Sequence, residues 1–178
     1  MDRNPYSPPA SATEVAPAIE SGSGPVGLSG WLVVVCLGLI LTPLRLGIYL
    51  VQTYPPIFRD GTWQTLTTPG PAPYHPFWGP LLVLEMVSDC LFIAATVYLL
   101  FLFFMKSWRF PKIYIGYLVA NVAFLVMDAL AVHVVLPGRP LFDATSGGDL
   151  GRSVIGAAIW IPYMSMSRRV RNTFVQIS

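Results

Sequence analysis

The chain has 178 residues, 54% hydrophobic and only 11% charged, with a formal net charge of +2. Soluble domains carry roughly 25% charged residues, so too little polar surface is present to cover a soluble fold of this length. The composition excludes an ordinary soluble domain and predicts a single polytopic membrane domain.

Residues 1–27 are rich in Pro, Ser, Ala and Gly and have little to bury, which predicts a disordered tail. They lack the basic start and short apolar core of a cleavable signal peptide, so the first span is expected to act as its own insertion signal. That span is WLVVVCLGLILTPLRLGIYLV, Trp31 to Val51, about the 20 residues needed to cross the hydrocarbon core. A long proline-dense loop follows over 53–79. It reads as an irregular flap whose Tyr54, Trp63, Tyr74, Phe77 and Trp78 sit at headgroup level; a lid over the helices is the alternative. His75 in this loop has no partner at metal-ligand spacing.

The second span runs over 80–105 and the third over 113–136, joined by the basic turn KSWRFPK with Lys106, Arg109 and Lys112. The fourth, about 150–167, is built around SVIGAAIWIPYM and is shorter. Residues 168–178, SRRVRNTFVQIS from Ser167 on, form a basic tail with Arg168, Arg169 and Arg171. Counting Lys and Arg at the membrane ends puts that turn and the C-terminus in the cytoplasm, and four spans put the N-terminus there too. The expected fold is an all-α membrane protein: a four-transmembrane-helix bundle over 28–167 with both termini cytoplasmic. Val170, Phe174 and Ile177 share one side of a helix, so the tail is expected to lie on the inner membrane surface, its arginines on anionic headgroups.

Within the spans the ionisable residues stand out. A helix rises about 1.5 Å per residue, which places Arg45 about 21 Å from the cytoplasmic end, Asp89 about 25 Å and Asp128 about 24 Å. Glu85 and His133 both fall near about 31 Å. Arg45, Glu85, Asp89, Asp128 and His133 therefore form a candidate buried polar cluster, with Arg45 expected to pair with Asp89 or Asp128 and Glu85 to point toward His133. One positive charge faces three negative ones, so a proton, water or a cation has to enter.

Cys36 and Cys90 lie in spans and read as small hydrophobes. No phosphate loop, metal-ligand cluster or nucleophile beside a base occurs at recognisable spacing, so no cofactor, metal, nucleic-acid partner or enzymatic reaction is expected. The segments GLSGWLVVVCLGLILTPLR, FFMKSWRFPKIYI and IWIPYMSMSRRVRNTFV resemble the YdgK-like bacterial inner-membrane proteins, built on a domain of unknown function. The resemblance spans Gly27 to Val175 and implies a four-span inner-membrane protein without an assigned reaction. Two readings follow. One is a structural or accessory subunit that docks a membrane-protein partner or a second copy; the other is a small proton- or cation-coupled transporter using the acidic cluster.

Overall fold

Hydropathy sorts the helices of the computed structural model, which describes residues 27–70 and 74–175. Three are long and apolar enough to cross a membrane: α1 (Trp31–Arg59), α3 (Trp78–Phe104) and α4 (Phe110–Val135). A short α2 (Thr62–Thr67) links the first two, and α5 (Ala144–Met166) and the short α6 (Arg168–Thr173) complete the chain. Among the described residues there is no strand. With 23 residues α5 matches the others in length, but its first half, ATSGGDLGRS, is glycine-rich and charged and lowers its hydropathy. The expected disorder of residues 1–26 and the position of Ile177 fall outside the described residues.

The long helices pack in a row, α1 on α3, α3 on α4 and α4 on α5. The brief Met105–Arg109 connection makes α3 and α4 antiparallel neighbours. Buried aromatic and aliphatic side chains gather at one end of the bundle. Leu32 and Val35 come from the start of α1, Leu99 and Phe103 from the end of α3, Phe110 from the start of α4 and Met164 from the end of α5. Phe110 stacks on Phe174 at a centroid distance of 4.7 Å and meets the edge of Phe103 at 5.2 Å. Trp31 contacts Trp160 edge-on at 6.3 Å, which joins α1 to α5.

The C-terminal segment departs from expectation. Ser167 has an extended backbone, which ends α5 and turns the chain across the end of the bundle, and its side chain accepts the Val170 amide of α6. Val170 and Phe174 then enter the protein core, with 1% and 6% of their surface exposed, rather than the lipid. Thr173 Oγ1 accepts the Gly27 amide at 3.0 Å, and Arg169 donates to Ser29 Oγ, so the two ends of the described chain are tied together. Residues 168–174 are therefore part of the bundle and not a separate tail.

The first loop also differs from an irregular flap. Helix α1 continues beyond Val51 to Arg59 despite Pro55 and Pro56, each of which removes one amide from the helical hydrogen-bond ladder. Trp63 of α2 packs on Phe58 at 5.2 Å. A Cβ on Gly79 would lie 3.3 Å from Thr67 Cγ2, so glycine lets α2 sit close against the start of α3.

At the far end of α3, the Lys106 amide bonds Phe103 O at 3.1 Å and the Ser107 amide bonds Leu102 O at 3.0 Å. This is a Schellman closure, whose left-handed position is normally glycine; here Lys106 occupies it with φ 50°. An L side chain there costs about 1–2 kcal/mol. Lys106→Gly is expected to raise stability in detergent micelles by about 1 kcal/mol, and Lys106→Val to lower it, both measured by equilibrium unfolding.

Candidate functional site

The position of the polar residues depends on where α5 begins. Asp143 caps it: its Oδ1 accepts the Ser146 amide at 2.8 Å and the Thr145 amide at 2.9 Å, while Ser146 Oγ accepts the Asp143 amide at 3.1 Å. This reciprocal capping box starts the helix at Ala144, a turn and a half before the expected start near residue 150. Asp149, expected in a loop, is thereby carried onto the helix at the level of Arg45.

The expected Arg45 pairing is overturned as a result. Arg45 Nη2 lies 3.1 Å from Asp149 Oδ1, and Arg152 Nη1 lies 2.8 Å from the same oxygen. Among the described residues no ion pair joins Arg45 to Glu85, Asp89 or Asp128. Asp89 instead accepts the Tyr54 hydroxyl at 3.1 Å. Tyr54 is 5% exposed and belongs to the bundle rather than to a headgroup belt, because α1 extends past Val51 to include it.

Glu85 meets Asp128 rather than His133; the two carboxyl groups lie within hydrogen-bonding reach across α3 and α4. His133 Nδ1 pairs with the Arg139 carbonyl at 3.1 Å, because the turn from Leu136 to Arg139 folds that carbonyl back over the end of α4. The three carboxylates do share one neighbourhood, with Tyr49 and Tyr54 of α1 in the fields of Glu85 and Asp89. Sequence depth found the acidic trio and misassigned its partners. It missed Tyr54, Asp149 and Arg152, and also the Ser153 to Asn121 hydrogen bond of 3.0 Å that links α5 to α4. The capping pattern Asp143-x-x-Ser146 was the signal for Asp149.

With these additions, four carboxyl groups (Glu85, Asp89, Asp128, Asp149) face two guanidinium groups (Arg45, Arg152), so the deficit stays at two charges. Among the described residues no group of three or more His, Cys, Asp or Glu side chains is placed to hold a metal ion. The basic residues Lys106, Arg109, Lys112, Arg168, Arg169 and Arg171 fall at the aromatic end of the bundle, where Arg109 and Lys112 approach the Trp108 ring at 5.5 and 5.4 Å. Cys36 and Cys90 are free thiols on different helices. A concavity of about 530 Å³ between α3 and α4 is lined by apolar side chains with Ser88, Gly116 and Ala120 and carries no charge.

These features define an all-helical, multi-pass membrane protein with polar groups facing one another between its helices. The chain belongs to a family of proteins of unknown function, DUF2569, whose model matches residues 25–175. No curated protein and no solved structure matches it.

Tyr54→Phe removes one interhelical hydrogen bond, and such bonds in membranes average about 0.6 kcal/mol and reach about 1.7. We expect a loss in that range on unfolding in micelles. The Asp143 carboxyl is held below its ordinary range by the Ser146 amide, the Ser146 hydroxyl and the Thr145 amide. A depressed value means that its cap is in force at neutral pH and is lost as pH falls through that value. Amide protection at Thr145 and Ser146, corrected for intrinsic exchange, should therefore fall below about pH 4, and Asp143→Ala should abolish it at every pH.

Proposed function

We propose that this protein is a four-span protein of a bacterial inner membrane, with both termini cytoplasmic, acting as a non-catalytic structural or accessory subunit. Two features support the fourth span. Helix α5, about 34 Å long by its rise, runs antiparallel to α4 through the Ser153–Asn121 bond. It also ends in the same aromatic cluster as the start of α1 and the α3–α4 turn. That end carries Lys106, Arg109, Lys112, Arg168, Arg169 and Arg171, which favours the cytoplasm. The bilayer, with anionic headgroups at this basic end, is the first partner; a membrane protein or a second copy is the second.

One observation carries the structural reading: polar groups within the helices are engaged by other protein groups. Tyr54 holds Asp89, Arg45 and Arg152 hold Asp149, and Ser153 holds Asn121. Side chains that pair across helices fix which faces meet. The carboxyl–carboxyl contact of Glu85 with Asp128 favours the second reading, a proton- or cation-coupled carrier, because such a contact needs a proton or cation between its oxygens.

Reporter fusions after Gly61, Phe110, Asp143 and Ser178 should read out, in, out and in; an extracytoplasmic C-terminus rejects the orientation. Proteoliposomes of the purified protein should pass protons and cations no faster than empty vesicles. A proton flux abolished by Glu85→Gln would replace the structural reading with the carrier.

A further inference from the structure

The ion pair between α1 and α5 is not balanced. Two guanidinium groups converge on one carboxylate oxygen, at 3.1 Å from Arg45 and 2.8 Å from Arg152, leaving a net charge of +1. Both arginine side chains are 73% exposed, while Asp149 is 31% exposed. A guanidinium has five N–H donors, and among the described residues each of these two makes a single hydrogen bond, to Asp149. Most of the donors are free. The α5 backbone beside Arg152 is open: a Cβ on Gly148 would meet only Arg152 Nη2, at 3.9 Å.

Depth narrows what fills that opening. Arg45 lies about 21 Å from Trp31, and Asp149 about 22 Å from Met164, both measured from the aromatic end of the bundle. Against a hydrocarbon core of about 30 Å, this places the triad roughly 8 Å short of the opposite boundary, within reach of an arginine side chain that stretches toward the headgroups. An uncompensated cation at that level is costly. Among the described residues no ion pair joins Arg45 or Arg152 to Glu85, Asp89 or Asp128. The missing charge is a single negative one.

We propose that Arg45 and Arg152, which converge on Asp149, form a binding site at the α1–α5 seam for the phosphodiester of an outer-leaflet phospholipid. A phosphodiester carries one negative charge and brings the site to neutrality. Its two unesterified oxygens accept from both guanidinium groups in the charge-assisted geometry that arginine favours. The acyl chains then lie along the exposed apolar faces of α1 and α5, which include Leu41 and Leu44 on one side and Ile155 and Ile159 on the other. Assignment to the outer leaflet rests on the proposed four-span orientation; binding itself does not, because it is read in detergent.

The test uses the full chain in a neutral detergent and measures retained lipid by native mass spectrometry, with melting temperature as a second readout. Phosphatidylglycerol should bind and raise the melting temperature, and Arg45→Gln with Arg152→Gln should weaken that binding at least about tenfold. Replacing Arg168, Arg169 and Arg171 with glutamine should leave this bound lipid in place. Asp149→Asn keeps both guanidinium groups and removes the competing charge, so binding should hold or tighten. Unchanged binding in the double arginine variant overturns the proposal, as does a loss in Asp149→Asn equal to that in the double variant. Diacylglycerol retained as well as phosphatidylglycerol would mean that the phosphate is not recognised. Glycerophosphoglycerol, the same headgroup without acyl chains, binding equally well would assign the site to a free phosphodiester and overturn the lipid assignment.

Discussion

Phe110 is the contact on which the bundle depends. Its ring is stacked on Phe174 and edged by Phe103, and Tyr114 stacks on it one turn along α4. Through these rings the end of α3, the start of α4 and the segment after α6 become one unit, to which Leu32 of α1 and Met164 of α5 add their side chains. Lipid is as apolar as leucine, so burial from lipid does little to bring helices together, and close packing does most of it. Aromatic rings suit that task because their edge-to-face and offset contacts add to their large contact area. Segment 167–174 turns back over the end of the bundle and shields Phe103 and Phe110, both within 1% of full burial.

A bundle secured at one end behaves differently at the other. At the cluster end α1 meets α5 through Trp31 on Trp160, and away from the cluster the two meet through Arg45 on Asp149. The half distant from the cluster is accordingly where polar groups accumulate, because the helices there are held by hydrogen bonds and ion pairs more than by interdigitated apolar side chains. Tyr54 to Asp89 ties α1 to α3, and the Arg45–Asp149–Arg152 triad ties α1 to α5. Such groups are worth less than their count suggests, since unfolded helices in a membrane also find partners. Their main effect is to fix rotation: each helix has one face that satisfies its polar atoms.

What the sequence made legible follows the strength of each local signal. Three spans were plain because each is a stretch of more than twenty residues whose few charges leave it apolar enough to cross a membrane. The polar level was legible too, since helical rise alone puts Asp89, Asp128 and Arg45 at similar heights. Partner choice was not. It depends on helix rotation and on two boundaries that hydropathy cannot see: Pro55 and Pro56 do not end α1, and Asp143 starts α5 ahead of its apolar stretch. Moving each boundary by a turn or two brought Tyr54 to Asp89 and Asp149 to Arg45. The tail failed for a related reason. Val170 and Phe174 show the same amphipathic spacing whether they face lipid or protein, and the bend at Ser167 decides between the two.

The uneven charge of the polar level sets a constraint on any account of this protein. Four carboxyl groups and two guanidinium groups are not spread evenly: Asp149 sits with both arginines, and the other three acids sit together on α3 and α4. One side of the level is thus short of negative charge and the other is short of positive charge. Moving Arg45 toward Asp89 to cancel the difference would leave Arg152 and Asp149 alone and strip α1 of its tie to α5, so the separation is part of what holds the helices in register. The surplus on each side has to be met from outside the chain, by an anion at the α1–α5 seam and by a proton or cation at the α3–α4 pair. On the proposed lipid site, a membrane would supply the first from its own headgroups, and the bilayer would then be a component of the fold rather than only its solvent.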